Sequence, residues 1–221
     1  MSDHISSEFD NLLTRLDDAL LRMGGLGKES LARAADGLFN RDAAACNAVI
    51  AADDEIDDLE ADVQRLAMDI IARYVPVASD LRVAMSALRL ANGLERVGDE
   101  CVSIARRARL LNACPECAET KLLEPLFDSA RVLFSDALVA MATRHADGAV
   151  AIAPRDVGLD EMCNDATDKL TEAVRRASLG GSEFANLAII ARSLEHIGDQ
   201  SKCVAAETLF RLDPKADHHT F

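Results

Sequence analysis

Leu94-Glu95-Arg96-Val97-Gly98-Asp99 is a stretch the chain states twice, because Leu194-Glu195-His196-Ile197-Gly198-Asp199 stands one hundred residues further on. Both copies read Leu-Glu, then a basic or imidazole residue, a β-branched residue, and Gly-Asp. The flanks keep the same offset: Ala87 and Leu90 answer to Leu187 and Ile190, and Ile104 answers to Val204. A motif and an apolar stripe that recur together indicate an internal duplication.

Around the first copy, Ala87, Leu90, Leu94, Val97, Cys101, Ile104, Ala108 and Leu111 alternate spacings of three and four. That is one face of a helix packed in coiled-coil fashion, expected from Ser79 to about Asn112. Upstream, Phe9, Leu12, Leu13, Leu16, Leu20 and Met23 mark a first helix from about Ser7 to Phe39. Gly24, Gly25 and Gly27 weaken that helix midway and predict a bend. Asp42 is placed to cap a second helix, Ala43 to Tyr74, with the stripe Ile56, Leu59, Val63, Leu66, Ile70. Pro76 ends it, since a proline pushes the preceding residue out of helical geometry.

Asn112-Ala113-Cys114-Pro115-Glu116-Cys117 breaks the helical pattern and divides the chain into repeats 1–113 and 114–221. A fourth helix is expected over Glu119 to His145. A fifth carries Leu159, Met162, Ala166 and Leu170 and stops at Gly180-Gly181. A sixth is capped by Ser182. The fold expected is all-α: two tandem homologous antiparallel three-helix bundles, six long helices in all. Hydrophobic residues make up 49% of the 221 and aromatic ones 4%, with no Trp. The core must therefore be aliphatic, which suits close-packed helices better than sheets.

The formal net charge of −14 argues against nucleic acid as a partner, because phosphate backbones need clustered Lys and Arg. It is compatible with cations or a basic protein surface. No stretch approaches the roughly 18–20 apolar residues that cross a bilayer. The polar opening Met1-Ser2-Asp3-His4 lacks signal-peptide character, so a cytoplasmic protein is expected. Its six cysteines are then expected to be reduced thiols.

The acids carry the functional signal. Glu95 and Asp99 lie about 40° apart on one helical face, well round from the Leu94–Val97–Cys101 stripe. Such an i,i+4 pair repels itself by a few tenths of a kcal/mol on an isolated helix, which invites a cation. The second helix offers Asp53 and Asp57 at the same spacing, with Asp57 one residue past Ile56, as Glu95 is one past Leu94. In the second half, Asp156 and Asp160 relate in the same way to Leu159 and to the Glu195–Asp199 pair. Four carboxylates across a helix pair make a hard-oxygen site suited to Mg²⁺, Mn²⁺ or Ca²⁺ and able to hold Fe or Zn. A solvated acidic face is the competing reading. Gly98 and Gly198 mark either close backbone approach or room for a ligand.

These residues resemble a known family. Pro76-Val77-Ala78-Ser79-Asp80-Leu81-Arg82, then Leu94 to Asp99, then Ile104-Ala105-Arg106-Arg107-Ala108, is similar to the PhoU family of phosphate-transport regulators, as are Phe9-Asp10-Asn11-Leu12, Asp53 to Glu60, and Leu194 to Asp199. The resemblance implies two homologous three-helix bundles. It implies metal sites at Glu95, Asp99, Asp53 and Asp57, and at Glu195, Asp199, Asp156 and Asp160. It also implies a non-enzymatic, homodimeric regulator associated with the phosphate ABC transporter and the phosphate-sensing histidine kinase, repressing uptake when phosphate is plentiful. The sequence departs from the family at Gln200 and Cys203, where His and Asn are common, and at Ser103. Val157 and Gly158 replace the acids Asp54 and Glu55 of the first half, so the second site is expected to be the poorer one.

The other motifs carry less. Cys114-Pro115-Glu116-Cys117 has zinc or redox spacing, but no second ligand pair and no βαβ context accompany it, and a linker with incidental thiols is expected. His218-His219 reads as a frayed tail, and Arg82 as a partner for a carboxylate or for another protein. No Glu-x-x-His occurs, which disfavours a ferritin-like di-iron centre. Two alternative functions stand beside the regulator: a metal-independent helical interaction scaffold, and a metal-dependent hydrolase, for which no separate general base is evident.

Overall fold

The computed structural model describes residues 2–77 and 79–212, with side chains from Glu8 onward. The His218-His219 pair and the tail from Asp213, together with Ala78, lie outside the described residues. The helices are α1 (Ser2–Phe39), α2 (Ala43–Tyr74), α3 (Ser79–Asn112), α4 (Glu124–Thr143), the short α5 (Ala146–Val150), α6 (Ala153–Arg175) and α7 (Gly181–Leu212). Six are long, as the periodicity requires, and no strand occurs among the described residues.

The α3 stripe is the core of the first bundle. Ala87, Leu90, Leu94, Val97, Cys101, Ile104 and Ala108 are essentially inaccessible, and they meet Leu16, Leu20 and Met23 of α1 and Ile56, Val63 and Ile70 of α2 in one apolar cluster. Each Leu, Ile or Val removed from water contributes about 1.5–3 kcal/mol. Asp42 caps α2 as expected, its Oδ1 accepting from the backbone N–H of Ala44 at 2.8 Å and of Ala45 at 3.1 Å. Val75 turns the chain in the left-handed region (φ 46°), and Pro76 then prevents the helix from resuming. At the far end of α3, Arg41 donates to the carbonyls of Asn112 (2.7 Å) and Cys114 (2.6 Å), satisfying groups the helix end leaves unpaired.

The structure corrects three boundaries. The fourth helix begins at Glu124 and not at Glu119, because Pro125 lies in its first turn, where a missing N–H costs nothing. Residues Ala118–Leu123 before it wind as a 3₁₀ turn. The same helix stops at Thr143 with Arg144 left-handed (φ 53°), leaving His145 to cap α5, its Nδ1 accepting from the Gly148 N–H at 3.0 Å. Ser182 lies inside α7, which starts at Gly181, and so does not cap it.

The α1 glycines do not interrupt that helix. Gly24 makes room for Leu138 of α4, whose Cδ2 would stand 2.5 Å from an added Cβ, and Gly27 lies against Phe134. They are seats for the second bundle.

The broadest contact in the molecule is α3 against α7. Ser193 donates to Ser103 (3.3 Å), His196 Nδ1 meets Glu100 (2.8 Å), and Arg89 pairs with Glu207 (2.6 Å). Ascending positions on one helix meet descending positions on the other, so the two run antiparallel, and this register brings position 98 level with position 198. Both copies of the repeated motif therefore meet midway along the α3–α7 pair. At one end, Asp17 of α1 bonds both Arg144 (3.0 Å) and Arg211 (2.5 Å), tying the two bundles together again.

Candidate metal centres in the two halves

In the first half, α2 carries Asp53 and Asp57 and α3 carries Glu95 and Asp99. Gly98 lets the two helices close up: a Cβ there would lie 3.0 Å from Ile56 Cδ1 and 3.6 Å from Asp53 Oδ1. Burial raises the Asp53 carboxyl above its usual range, the charges of Asp57 and Asp99 raise it further, and Arg106 opposes them. Glu95 is pushed up to about 7 by burial, by Asp99 and Glu60, by a hydrogen bond to Asp99, and by Asp57. The four expected acids thus share one electrostatic neighbourhood. Glu60, which the sequence placed in the resembling segment but not in the ligand set, belongs to it as well. Its signal was its position, one turn beyond Ile56 and Asp57 on the same helix.

In the second half, α6 supplies Asp156 and Asp160 and α7 supplies Glu195 and Asp199. The approach is closer here. A Cβ on Gly198 would stand 2.7 Å from both Asp156 Oδ1 and Leu159 Cδ2. Asp156 is only 1% exposed. Lys202, which the sequence reading missed, donates from Nζ to Asp156 Oδ2 at 2.5 Å and to Asp199 Oδ1 at 3.0 Å. Burial works against its charge, but the hydrogen bonds and charges of Asp156 and Asp199 prevail and hold the ammonium pKa above that of an ordinary lysine. The Asp160 carboxyl is raised by burial and by Asp156, Asp199 and Glu195, with Lys202 opposing. Asp156 Oδ1 and Asp160 Oδ1 are buried without a hydrogen-bond partner.

The halves differ at matched positions. Lys202 corresponds to Val102, a buried apolar residue, and Glu60 corresponds to Cys163, whose thiol donates to the Ala191 carbonyl at 3.5 Å. An open cleft of about 480 Å³ at the α3–α7 seam lies between the two clusters, lined by Arg96, Asp99, Glu100, His196, Asp199 and Gln200.

Among the described residues, no three His, Cys, Asp or Glu side chains already surround a common point as a metal's ligands would. The donor chemistry of the first cluster nevertheless fits a hard divalent ion: five carboxylates, Asp53, Asp57, Glu60, Glu95 and Asp99, lie within one another's electrostatic reach, with Arg106 as the cation acting on Asp53. The second cluster has a cation of its own already in place. Elsewhere, all six cysteines are free thiols, and Cys117 donates to Glu119 Oε2 at 3.1 Å. Arg82 does not find a carboxylate through Nε, which is buried and unpartnered.

Comparison with known proteins gives a consistent result. The family model described as "PhoU domain" matches residues 20–108 and again residues 123–208, once in each half. A protein of Caulobacter vibrioides named as a phosphate-specific transport system accessory protein PhoU homolog is 30% identical over 213 residues, spanning 96% of this chain and 93% of that one. A homolog of the same name from Rhizobium meliloti is 32% identical over 95% of this chain and 88% of its own length. The crystal structure of PhoU from Pseudomonas aeruginosa superimposes with a TM-score of 0.89 at 29% identity, covering 92% of this chain and 98% of that one. A regulatory protein from Streptococcus pneumoniae shares the fold with a TM-score of 0.84 at 22% identity, covering 95% of this chain and 99% of that one.

Proposed function

The chain belongs to the PhoU family, and from that premise we propose that it is an accessory regulator of a phosphate-specific transport system with no catalytic chemistry of its own. The observation that carries this is the double match of the family model, one copy on each bundle, with both copies of the Glu-x-x-x-Asp motif brought together at the α3–α7 seam. Relatives aligned over nearly the whole chain are named accessory proteins of phosphate-specific transport.

The protein acts in the cytoplasm, as a homodimer, between the phosphate ABC transporter and the phosphate-sensing histidine kinase, and lowers uptake and starvation-gene expression when phosphate is plentiful. No helix among the described residues is long and apolar enough to cross a membrane, so it would reach the membrane through its partners. In the first half, Asp53, Asp57, Glu95 and Asp99 would hold a hard divalent ion, with Glu60 beside them. Such an ion supplies charge neutralisation between α2 and α3. The residues themselves do the rest: the Ile56–Gly98 contact fixes the spacing of the helices, and Arg106 balances part of the charge when no ion is bound.

Complementation tests the function. In a bacterium lacking its own PhoU-family regulator, this chain is expected to restore repression of a phosphate-starvation reporter at high phosphate; unchanged reporter output would remove the proposal. Elemental analysis tests the metal reading separately, since Glu95→Gln with Asp99→Asn should lose bound metal. Binding to transporter or kinase components that ignores chelator would favour the metal-independent scaffold instead.

A further inference from the structure

We propose that Lys202 is the resident cation of the second half, and that its ammonium keeps divalent metal out of the Asp156–Asp160–Glu195–Asp199 cluster, leaving metal binding to the first half. The proposal builds on the metal reading of the first cluster but concerns a different set of residues.

Three observations carry it. Lys202 Nζ spans α6 and α7, bonding Asp156 Oδ2 at 2.5 Å and Asp199 Oδ1 at 3.0 Å, which is the bridging position between the helices that a shared ion needs. Its anchor Asp156 is 1% exposed, while the Lys202 side chain is 30% exposed, so the ammonium lies at the mouth with the acid behind it. The repeat supplies the internal control: position 102 is Val, so no ammonium bonds the first-half acids from that place, and Arg106 acts on Asp53 through its charge.

The physics is competition for one place. A divalent ion and an ammonium a few ångströms apart repel, and in a partly buried setting that repulsion is several-fold stronger than in water. Metal entry therefore requires Lys202 to leave, and its departure gives up two charge-assisted hydrogen bonds. What lies beneath is nonetheless a competent donor set. Asp156 Oδ1 and Asp160 Oδ1 are buried and without partners, and hard cations bind such oxygens. Removal of the lysine, with the acids kept, should open the site.

The experiment is Mn²⁺ titration of the full chain by calorimetry, with bound metal counted after desalting. Wild type is expected to take up about one class of tight site, abolished by Glu95→Gln with Asp99→Asn. Lys202→Met is expected to add a second class, abolished in turn by Glu195→Gln with Asp199→Asn. Lys202→Arg keeps the charge and should bind as wild type does. Lys202→Gln, which retains a hydrogen-bond donor to the acids, repeats the measurement should the methionine variant not fold. Mn²⁺ bound by wild type at the second cluster overturns the proposal. So does a folded Lys202→Met or Lys202→Gln chain, checked by helical circular dichroism, that gains no Mn²⁺. If wild type binds none but Lys202→Met binds at the second cluster, the lysine proposal stands and the reading of the first cluster falls.

Discussion

The two acidic clusters are built on one plan and balanced in different ways. Both place a D-x-x-x-D helix against an E-x-x-x-D helix, and both use a glycine, Gly98 or Gly198, to let the pair close up. In the first half no ammonium bonds the acids, and burial together with the charges of Asp99 and Glu60 raises Glu95 to about 7. In the second, Lys202 is threaded between Asp156 and Asp199. A duplicated chain preserves the packing geometry because every stripe residue depends on it. The charge at the centre of each cluster is free to differ, because a few side chains off the stripe set it: Glu60 and Arg106 in the first half, Lys202 in the second.

Substitutions in matched pairs separate the halves. The largest effect is expected at Lys202. In metal-free protein, Lys202→Met should cost about 2–3 kcal/mol in urea unfolding, somewhat below the 3–5 kcal/mol of a fully buried broken pair because the lysine is partly exposed. A loss under about 0.5 kcal/mol would make Lys202 an ordinary surface charge.

Next come the glycines. Gly198→Ala forces its Cβ against Asp156 and Leu159 at 2.7 Å and should cost about 1–3 kcal/mol. Gly98→Ala has its one tight contact, 3.0 Å, at the flexible end of Ile56 and gains helix propensity of about 1 kcal/mol, so the two nearly cancel. Equal losses at both sites would show that the second helix pair is no tighter than the first.

The pH response is smaller and belongs to the first half. A carboxyl whose folded pKa lies above its unfolded value contributes stability that is whole below about 4.5 and is lost as pH rises through about 7. Metal-free protein should therefore melt lower at pH 8 than at pH 5, and Glu95→Gln should raise the melting temperature at pH 8 by about 2–4 °C. A pH-independent gain would assign the effect to packing. The smallest change is expected at the seam, where Glu100→Gln, weakening the half-exposed contact with His196, should cost less than about 1 kcal/mol.

Much of this was legible in the residues. Spacings of three and four put Leu94, Val97 and Cys101 in the core and Glu95 and Asp99 outside it, because helical period converts sequence directly into direction. Helix ends were harder to read. Pro125 and Pro154 sit in first turns, where proline is welcome, yet in sequence a proline signals only a break. Gly24 and Gly27 read in sequence as weak points of α1; that they also seat Leu138 and Phe134, residues more than a hundred positions away, no local pattern could tell. Lys202 escaped notice for the same reason. Its spacing from Asp199 is local and visible, but its bond to Asp156 depends on how α6 meets α7.

The antiparallel α3–α7 seam, with position 98 level with position 198, has the self-complementary form of an isologous dimer joined into a single chain. Two separate identical subunits cannot become unequal at one position, since any change appears in both. Fusion removes that restriction. With valine at 102 and lysine at 202 encoded in one gene, a symmetric pair of acidic clusters divides into one with an apolar side chain at that position and one with an ammonium bridging its two helices.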